Sequence, residues 1–472
     1  MVRKLAALAA SVMMIASPAA PAVAEPGAFL PGAPGIGDPY YPLQGNGGYD
    51  VGHYDLRLRF DPGDHTADAT ATITATATHN LSRFDLDFSG PEIKSVTVDG
   101  ARAGFRRDGQ ELVITPASGL RAGATFTVAV SYAGKLTAVS DDTGQQGWIN
   151  TKDGAFVASQ PDGARSWFPA NDSPADKATF SFRVSAPEEL TVLANGERAS
   201  ADDAAGSDGS DGYRTVRWEM RQPMAPYLAM LAIGHFEVSE GTVDGIPNVT
   251  AYDPALAEKS KRLHDLTAEA VRWESSLFGP YPFSSTGGVA DGRGSVTALE
   301  TQGRPVYSGG PTDDSEIVHE LAHQWFGDSV GVRSWRDIWL NEGFAKYTEW
   351  LYEEQHDGPS ARATFDRLYR KDGAFWRLKT GDPGQAHMFD ENAIYLRGAM
   401  TVHALREKIG DKVFFTLLKT WAQEHRYGTV TTSDFVALAE RLSGQKLGPF
   451  FDAWLYQSKK PPQSVFRATP AE

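Results

Sequence analysis

His319 and His323 are four residues apart in a segment with the sequence pattern of a helix. Residues at this spacing share one face of an α-helix, so the two imidazoles can bind a single metal ion. Glu320 lies between them, and its carboxylate can reach a water molecule on that metal. Because the chain contains no cysteine, a transition metal must use histidine and carboxylate ligands. Chance alone produces the motif His-Glu-x-x-His in roughly one such chain per hundred. The alternative interpretation is a helix with two surface histidines and an ordinary glutamate.

A second segment, residues 335–345, supplies a third ligand. Glu342 follows His323 by nineteen residues, which allows for one helix end, a connection and two turns of the next helix. Packed antiparallel, that helix can bring Glu342 over the histidine pair. Two histidines and one glutamate leave a fourth zinc position for water, which is typical of catalytic rather than structural zinc sites. Asp313, Asp314 and Ser315 are candidates for the N-cap of the first helix.

Together these segments resemble the aminopeptidase N family of zinc peptidases, the gluzincins. The family signature His-Glu-Leu-Ala-His-Gln-Trp-Phe-Gly-Asp matches residues 319–328 at every position. The resemblance extends over much of the chain in the same order. It includes residues 164–169 and 172–180 of an N-terminal β domain, 223–228 as its last strand, 395–399 around a catalytic tyrosine, and 453–456 at the end of the catalytic domain.

The resemblance implies a catalytic role for each residue of the site. One zinc ion per chain is bound by His319, His323 and Glu342, where it polarises the scissile carbonyl and activates a water molecule. Glu320 takes the water's proton as general base and passes it to the leaving amine. Tyr395 donates a hydrogen bond to the oxyanion. Without the neighbouring motif, we would interpret Tyr395 as an aromatic residue packed in the core.

The resemblance also implies a substrate site for a free N-terminus. Glu300 and Gln160 hold the α-ammonium, and Ala298 belongs to the strand that pairs with the substrate. Residues 297–301 keep the family's glutamate but replace its glycine, methionine and asparagine, and the threonine at 297 could narrow the cleft. The alternative for Gln160 is a loop amide bonded to nearby backbone.

Other ionisable residues near these motifs receive no firm role. Glu349, Glu353 and Glu354 follow Glu342 on the same predicted helix, and we interpret them as a solvated face. Asp328 is a candidate hydrogen-bond partner for a histidine ligand. The remaining histidines lack metal-binding spacing and are interpreted as ordinary surface or core residues.

The elements that position these residues fall into two parts. Short alternating runs separated by turns predict an all-β domain over residues 41–245. From about residue 248 the period approaches 3.6, which predicts a mostly helical domain over 246–462. The fold class is therefore α+β multidomain, and the resemblance implies a saddle-like β domain followed by a thermolysin-like catalytic domain. Helices are predicted near residues 256–277, 314–327, 337–356, 361–378, 393–409, 412–425, 432–443 and 447–457.

The ends of the chain differ from these domains in composition. Residues 1–24 combine Arg3 and Lys4 with a short apolar run and Ala22-Val23-Ala24, which predicts a secretory signal cleaved after Ala24. Residues 25–40 are a Pro/Gly-rich, loose lead-in, and 463–472 form a tail. The chain ends soon after Pro461-Pro462, so we expect no large C-terminal helical domain and a more open cleft than in many relatives.

Composition narrows the class of function. The 472 residues carry a formal charge of −15, which disfavours a nucleic-acid partner. No segment after the signal is long and apolar enough to span a membrane, so we expect no stable membrane association. The leading hypothesis is a secreted, monomeric zinc aminopeptidase acting on peptides with a free N-terminus. The alternatives are a zinc metalloendopeptidase, an epoxide hydrolase with side peptidase activity, and a non-catalytic peptide-binding protein on the same scaffold.

Overall fold

The structure is a computed structural model that describes residues 27–199, 212–292 and 298–466. The predicted signal segment and Thr297 lie outside these ranges. Within them, the N-terminal part of the chain forms three sheets. The large sheet has the spatial order Glu197–Arg198, Tyr213–Met224, Ala178–Pro187, Tyr49–Asp61, Thr66–Ala77, Thr125–Lys135, Glu92–Val98 and Ala101–Arg102. A five-stranded sheet contains Val139–Asp141, Gly144–Asn150, Ala155–Ala158, Leu231–Gly234 and Thr191–Ala194. A third sheet contains Leu30–Pro31, Leu81–Asp87, Glu111–Thr115 and Gly104–Asp108.

The strand Thr66–Ala77 shows why these residues form a half-buried sheet. Its alanines and Ile73 face the core, and its threonines are partly exposed on the other face. Period-two alternation of this kind buries one side of a strand, and β-branched threonine suits the pleated outer face. Tyr49–Asp61 pairs with it in antiparallel fashion and with Ala178–Pro187 in parallel fashion. The predicted β domain is thereby confirmed.

The second half of the chain is mostly helical, as predicted. Its sheet contains Glu237–Val243, Ile246–Tyr252, Thr286–Asp291 and Val306–Ser308. A small ladder joins Gly331–Val332 to Thr429–Val430. The α-helices are α1 Ala257–Ser260, α2 Leu263–Phe278, α3 Asp314–Ala322, α4 Trp339–Gln355, α5 Ala361–Tyr369, α6 Arg397–Ile409, α7 Asp411–Glu424, α8 Thr432–Ser443 and α9 Gly448–Phe451. One π-helical stretch, Glu391–Leu396, precedes α6, and another, Asp452–Tyr456, follows α9.

Several predicted boundaries differ from the observed ones. The domain boundary predicted at 245 divides a hairpin, because Glu237–Val243 pairs with Ile246–Tyr252 and both belong to the sheet of the second domain. The helix predicted to run to 327 ends at Ala322, where the chain turns. The helix predicted to run to 378 ends at Tyr369, and Gly373, with φ of 62°, begins a separate 3-10 turn.

The lead-in predicted to be loose is anchored at several points: Leu30–Pro31 pairs with Leu81–Asp87 of the β domain, and bonds to both domains begin at Asp38. Asp38 is buried and accepts a hydrogen bond from the backbone N–H of Trp335 at 2.8 Å. The Tyr40 hydroxyl donates to Asp382 Oδ1 at 2.7 Å. Gln44 donates from Nε2 to Pro161 O at 2.8 Å. These bonds connect residues 38–44 to both domains. We call the whole segment 27–48 the strap.

A buried lysine also connects the domains. The ammonium of Lys177, which directly precedes a strand of the large sheet, donates to the backbone oxygens of Asp328, Ser329 and Gly428 at 2.7, 3.1 and 2.9 Å. The first two acceptors lie just beyond α3, so the β domain fixes the turn that follows the histidine motif. None of the described helices has both the length and the hydropathy needed to cross a membrane.

Candidate active site

The histidine motif lies on α3 and at its C-terminal end. Asp313 is the N-cap residue, as predicted, and its Oδ1 accepts from the N–H of Glu316 at 3.1 Å. His319 lies in the last two turns, and His323 is the C-cap residue with helical backbone angles. Their rings are 4.8 Å apart between centroids. The i, i+4 spacing therefore places both imidazoles on one side of the helix.

A reverse turn after α3 orients the second imidazole. The N–H of Asp328 donates to His323 O at 2.9 Å, and Gly327 has a φ of 142°, a value that favours glycine. The turn brings Phe326 O to 3.0 Å from His323 Nδ1. With its proton on Nδ1 and bonded to this oxygen, the ring directs the lone pair of Nε2 into the site.

Glu342 reaches the histidine pair from the first turn of α4, rather than from its second turn as the sequence spacing predicts. Its Oε2 lies 3.4 Å from His319 Nε2 and 3.3 Å from His323 Nε2. The two Nε2 atoms are 3.1 Å apart, and all three side chains are buried. Burial raises the pKa of Glu342, but the adjacent imidazoles outweigh it and lower that pKa to about 2.

These three residues fit a zinc ion. Zinc–nitrogen and zinc–oxygen bonds of about 2.0–2.1 Å in a tetrahedron require ligand atoms about 3.3 Å apart, and the three observed separations lie between 3.1 and 3.4 Å. With both Nδ1 atoms bonded to oxygens, the two Nε2 atoms are acceptors that face each other and a carboxylate. Such a set of acceptors needs positive charge between its members, and a zinc ion can meet all three at once whereas an added proton bridges only two of them.

Glu349 is part of this centre, so its interpretation as a solvated residue was wrong. Its Oε1 lies 2.7 Å from His319 Nδ1, and its Oε2 accepts from Lys346 at 2.8 Å. The side chain is only 11% exposed. Burial lowers the pKa of His319, but hydrogen bonds to Glu342 and Glu349 raise it to about 9. A carboxylate on the far nitrogen fixes the tautomer and orientation of a ligating imidazole.

Glu320 lies beside the metal ligands without being one of the three. It is buried, and its carboxylate lies within 4.8 Å of ligand atoms of Glu300 and His323. Burial raises the pKa of Glu320 to about 8, against the opposing effect of the two imidazoles. A carboxyl group with a pKa near neutrality is suited to take up and release a proton.

Tyr395 reaches the site through a close crossing of α4 and α6. Gly343 follows Glu342, and Gly398 lies one turn after Tyr395. A Cβ atom added to Gly398 would lie 2.7 Å from Gly343 Cα, so only glycines allow the two backbones to approach this closely. The Tyr395 ring is 6.0 Å from the His319 ring and nearly parallel to it. The tyrosine therefore lies in the active site rather than solely in a helix core.

The predicted ammonium-binding residues also meet, across the domain interface. Gln160 Nε2 donates to Glu300 Oε1 at 3.0 Å, rather than to backbone as in the alternative interpretation. The Tyr227 hydroxyl approaches the same oxygen at 3.4 Å. Tyr227 was not identified from the sequence, where it lies in a segment interpreted only as a strand, and no spacing signal marks it. Burial raises the pKa of Glu300.

All eight predicted site residues line one cavity of about 680 Å³. Ala298 lies in its wall next to Leu299, which pairs with Val306 at the edge of the second domain's sheet. Asp328 is not a partner of a histidine ligand, because Phe326 O occupies His323 Nδ1. Burial raises the pKa of Asp328 well above its usual range.

Comparisons with known proteins agree with this geometry. The model of the family described as "Peptidase M1 N-terminal domain" matches residues 51–228, and the model described as "Peptidase family M1 domain" matches residues 313–454. The chain is 26% identical to an aminopeptidase N from Lactobacillus helveticus over 450 residues, which is 88% of this chain and 52% of the relative. It is 28% identical to an aminopeptidase N from Streptomyces lividans over 344 residues, which is 64% of this chain and 38% of the relative. The chain thus spans about half the length of the first relative and less of the second.

A solved structure of similar size shows the same two-domain architecture. The M1 zinc metallopeptidase from Deinococcus radiodurans superimposes with a TM-score of 0.83 at 29% identity, covering 93% of this chain and 100% of that one. A mutant of that enzyme has been solved with a Tyr-Ser-Ala substrate, and it superimposes with a TM-score of 0.82. The two M1 domains match in the order found in these relatives, the described residues include a zinc-compatible His319–His323–Glu342 cluster, and the chain belongs to peptidase family M1.

Proposed function

We propose that the protein is a secreted zinc aminopeptidase that removes N-terminal residues from peptides. It would bind one zinc ion per chain and act as a monomer. The observation that carries this proposal is the carboxylate of Glu300, which Gln160 and Tyr227 hold beside the metal site. A buried carboxylate in the wall of this cavity is suited to the α-ammonium of a free N-terminus, because a buried ammonium without a partner is costly.

The solved relatives support this substrate class. One mutant M1 zinc metallopeptidase is described as bound to a Tyr-Ser-Ala substrate and another as bound to L-arginine. A short peptide and an amino acid are the expected substrate and product of an exopeptidase. The cavity described here is of comparable scale to a small peptide, since ligand pockets commonly enclose 300–1,000 Å³ and this one measures about 680 Å³.

The residues of the chain would divide the reaction between them. Zinc, when bound by His319, His323 and Glu342, supplies an activated water molecule and polarises the scissile carbonyl. Glu320 accepts the proton of the attacking water and delivers it to the nitrogen of the leaving amine. Tyr395 donates its hydroxyl hydrogen to the carbonyl oxygen as negative charge develops there. Glu300 and Gln160 fix the N-terminus so that the first peptide bond faces Glu320.

The deciding experiment is a panel of aminoacyl fluorogenic substrates, assayed with and without a strong chelator. We expect hydrolysis that the chelator abolishes and added zinc restores, with about one zinc per chain by elemental analysis. Glu320→Gln is the matched control, since it should retain zinc and lose most turnover. Full activity in metal-free protein would contradict the proposal.

An acetylated peptide separates this function from the alternatives. Acetylation removes the charge that Glu300 binds, so we expect the blocked peptide to resist hydrolysis. Internal cleavage of the blocked peptide would favour a metalloendopeptidase. Tight peptide binding without any turnover would favour a non-catalytic binding protein.

Export of the protein is a separate part of the proposal. It rests on the composition of residues 1–24, which combines a basic start, a short apolar run and Ala22-Val23-Ala24. The protein recovered from the culture medium of an expressing bacterium should begin at Glu25. Retention of residues 1–24 in a membrane fraction would contradict it.

A further inference from the structure

A second cavity, of about 1180 Å³, adjoins the active-site cavity. The two share Ala298, Thr312 and Glu316 as common wall. The other walls of the second cavity come from both domains, with Phe156 from the β domain and Asp291 from the catalytic domain. A molecule extending out of the active site over Thr312 and Glu316 would therefore enter it.

Asp291 is the unusual residue of this cavity. It ends the strand Thr286–Asp291 and pairs with Ser308 on the neighbouring strand. The residue is only 6% exposed. Its Oδ1 accepts from the N–H of Gly292 at 2.6 Å, whereas the buried Oδ2 has no hydrogen-bond partner among the described residues. A buried carboxylate oxygen without a donor is costly, so a ligand that supplies one would be stabilised there.

The charges around Asp291 also favour a cationic ligand. Burial, with a smaller contribution from the carboxylates of Asp253 and Asp153, raises the pKa of Asp291 to about 7. Among the described residues of the cavity wall, the basic groups already have partners or are exposed: Lys259 donates to Gly309 O at 3.0 Å, His235 pairs with Asp153 at 2.7 Å, and Lys152 is exposed.

The direction of a bound peptide follows from α3. The N-terminal anchor Glu300 groups with His323 at the end of this helix, while Glu316, in the shared wall, lies seven residues earlier. Seven residues of α-helix span about 10 Å, which is the length of about three extended peptide residues. A peptide anchored at Glu300 and running along α3 would therefore bring its third or fourth residue to Glu316 in the shared wall.

We propose that this second cavity binds the side chain of a lysine or arginine at the third or fourth position of a peptide substrate, with Asp291 as its partner. The inference rests on the proposed aminopeptidase function and adds a preference for basic residues beyond the cleaved bond. An ammonium or guanidinium group is the donor that Asp291 Oδ2 lacks, and charge-assisted bonds of this kind are the stronger ones.

The test is a series of hexapeptides with N-terminal leucine, alanine elsewhere, and a single lysine at position 2, 3, 4 or 5. A matched series carries norleucine in place of lysine. The measured quantity is the lysine-to-norleucine ratio of kcat/KM at each position, so general effects on the enzyme cancel. We expect a ratio on the order of 10 at position 3 or 4, as for a hydrogen bond to a charged group, and a ratio near one at the other positions.

Two variants locate the effect. Asp291→Asn keeps the shape of the side chain and should bring the ratio at position 3 or 4 close to one. Asp153→Asn removes an exposed carboxylate of the same cavity that already pairs with His235, and it should keep most of the preference. An equal fall in both variants would indicate a diffuse negative field and overturn the role of Asp291.

The outcomes separate this inference from the proposed function. Inactivity toward every peptide contradicts the aminopeptidase proposal itself. Activity with ratios near one at all positions of the wild-type series overturns the inference alone, whether or not Asp291→Asn folds. A preference that persists unchanged in a folded Asp291→Asn variant also overturns it.

Discussion

Gly343 and Gly398 lie in contact where α4 crosses α6, close enough that neither position has room for a methyl group. Glu342 directly precedes Gly343 on α4, and Tyr395 lies one turn before Gly398, so the crossing positions both side chains. We expect Gly398→Ala to force the helices apart, which displaces Tyr395 and Glu342 and lowers both kcat and zinc affinity. Gly448→Ala is the matched control, because a Cβ there meets nothing within 4 Å. Wild-type kcat in Gly398→Ala would show that the crossing does not position the tyrosine.

The ammonium anchor can be tested by removing its charge alone. Glu300→Gln retains an oxygen for Gln160 and Tyr227 but cannot form an ion pair with the substrate. We expect kcat/KM for unblocked peptides to fall on the order of 10- to 100-fold, the range for hydrogen bonds to charged groups. The preference for free over acetylated peptides should fall with it. A variant that still rejects acetylated peptides as strongly as wild type would place the anchor elsewhere.

The contact between Glu349 and His319 predicts an effect on metal affinity. Glu349→Gln keeps the volume but replaces a charged acceptor, so we expect zinc affinity to fall 10- to 100-fold, as for other partners of ligating histidines. A competing chelator measures this directly. Glu353→Gln, one helical turn further along α4, is the control. Equal zinc affinity in both variants would mean that Glu349 only packs against the ring.

Tyr395→Phe deletes a single hydroxyl and keeps the ring that lies near His319. A donor aimed at charge that develops in the transition state acts on turnover more than on substrate binding. We expect kcat to fall on the order of 10²–10³-fold, as for loss of one oxyanion donor, with zinc content unchanged. Tyr369→Phe is the control, because its hydroxyl bonds to Pro461 O outside the cavity. If Tyr369→Phe alone were inactive, the catalytic tyrosine would have been assigned wrongly.

Buried carboxyls in the β domain predict how stability depends on pH. Asp172 is fully buried, and its burial, together with Asp162, raises its pKa to about 8. Below about pH 4 the Asp172 carboxyl is protonated in both the folded and the unfolded protein. Between about pH 4 and 8 only the folded protein keeps this proton. The free energy of unfolding should therefore fall as pH rises, by about 1.4 kcal/mol per pH unit for such a group.

Urea unfolding between pH 5 and 8 measures this dependence. Asp172→Asn keeps an oxygen to accept from the N–H of Arg165 and removes the ionisation, so its unfolding free energy should vary less steeply with pH. Asp64→Asn, at an exposed turn, should follow wild type. Parallel curves for all three proteins would contradict the assignment.

The metal ligands could be predicted because their signal is local. His319 and His323 share one helix, and Glu342 follows after a single connection. Glu349 could have been found by the same logic, since seven residues after Glu342 is two turns of helix and hence the same face. It was missed because α4 was expected to have a solvated side there, whereas Glu349 bonds to Lys346 on the same helix and to His319 of the metal site.

Contacts between the domains carry no comparable signal. Tyr227 and Glu300 are more than seventy residues apart, and only the packing of the β domain against the catalytic domain brings them together. The strap was misjudged for a similar reason. Its prolines and glycines indicate a loop, but composition does not report that Asp38 and Tyr40 have partners more than 290 residues away.

The contacts of the strap determine where this protein can be truncated or fused to a tag. Secondary structure alone would recommend starting a shortened version at Tyr49, the first long strand. That start would remove Asp38 and leave unpaired the N–H of Trp335, which opens the turn leading directly into α4 and Glu342. Tags and fusion partners therefore belong ahead of Gly27, so that Asp38 and its bond to the N–H of Trp335 are kept.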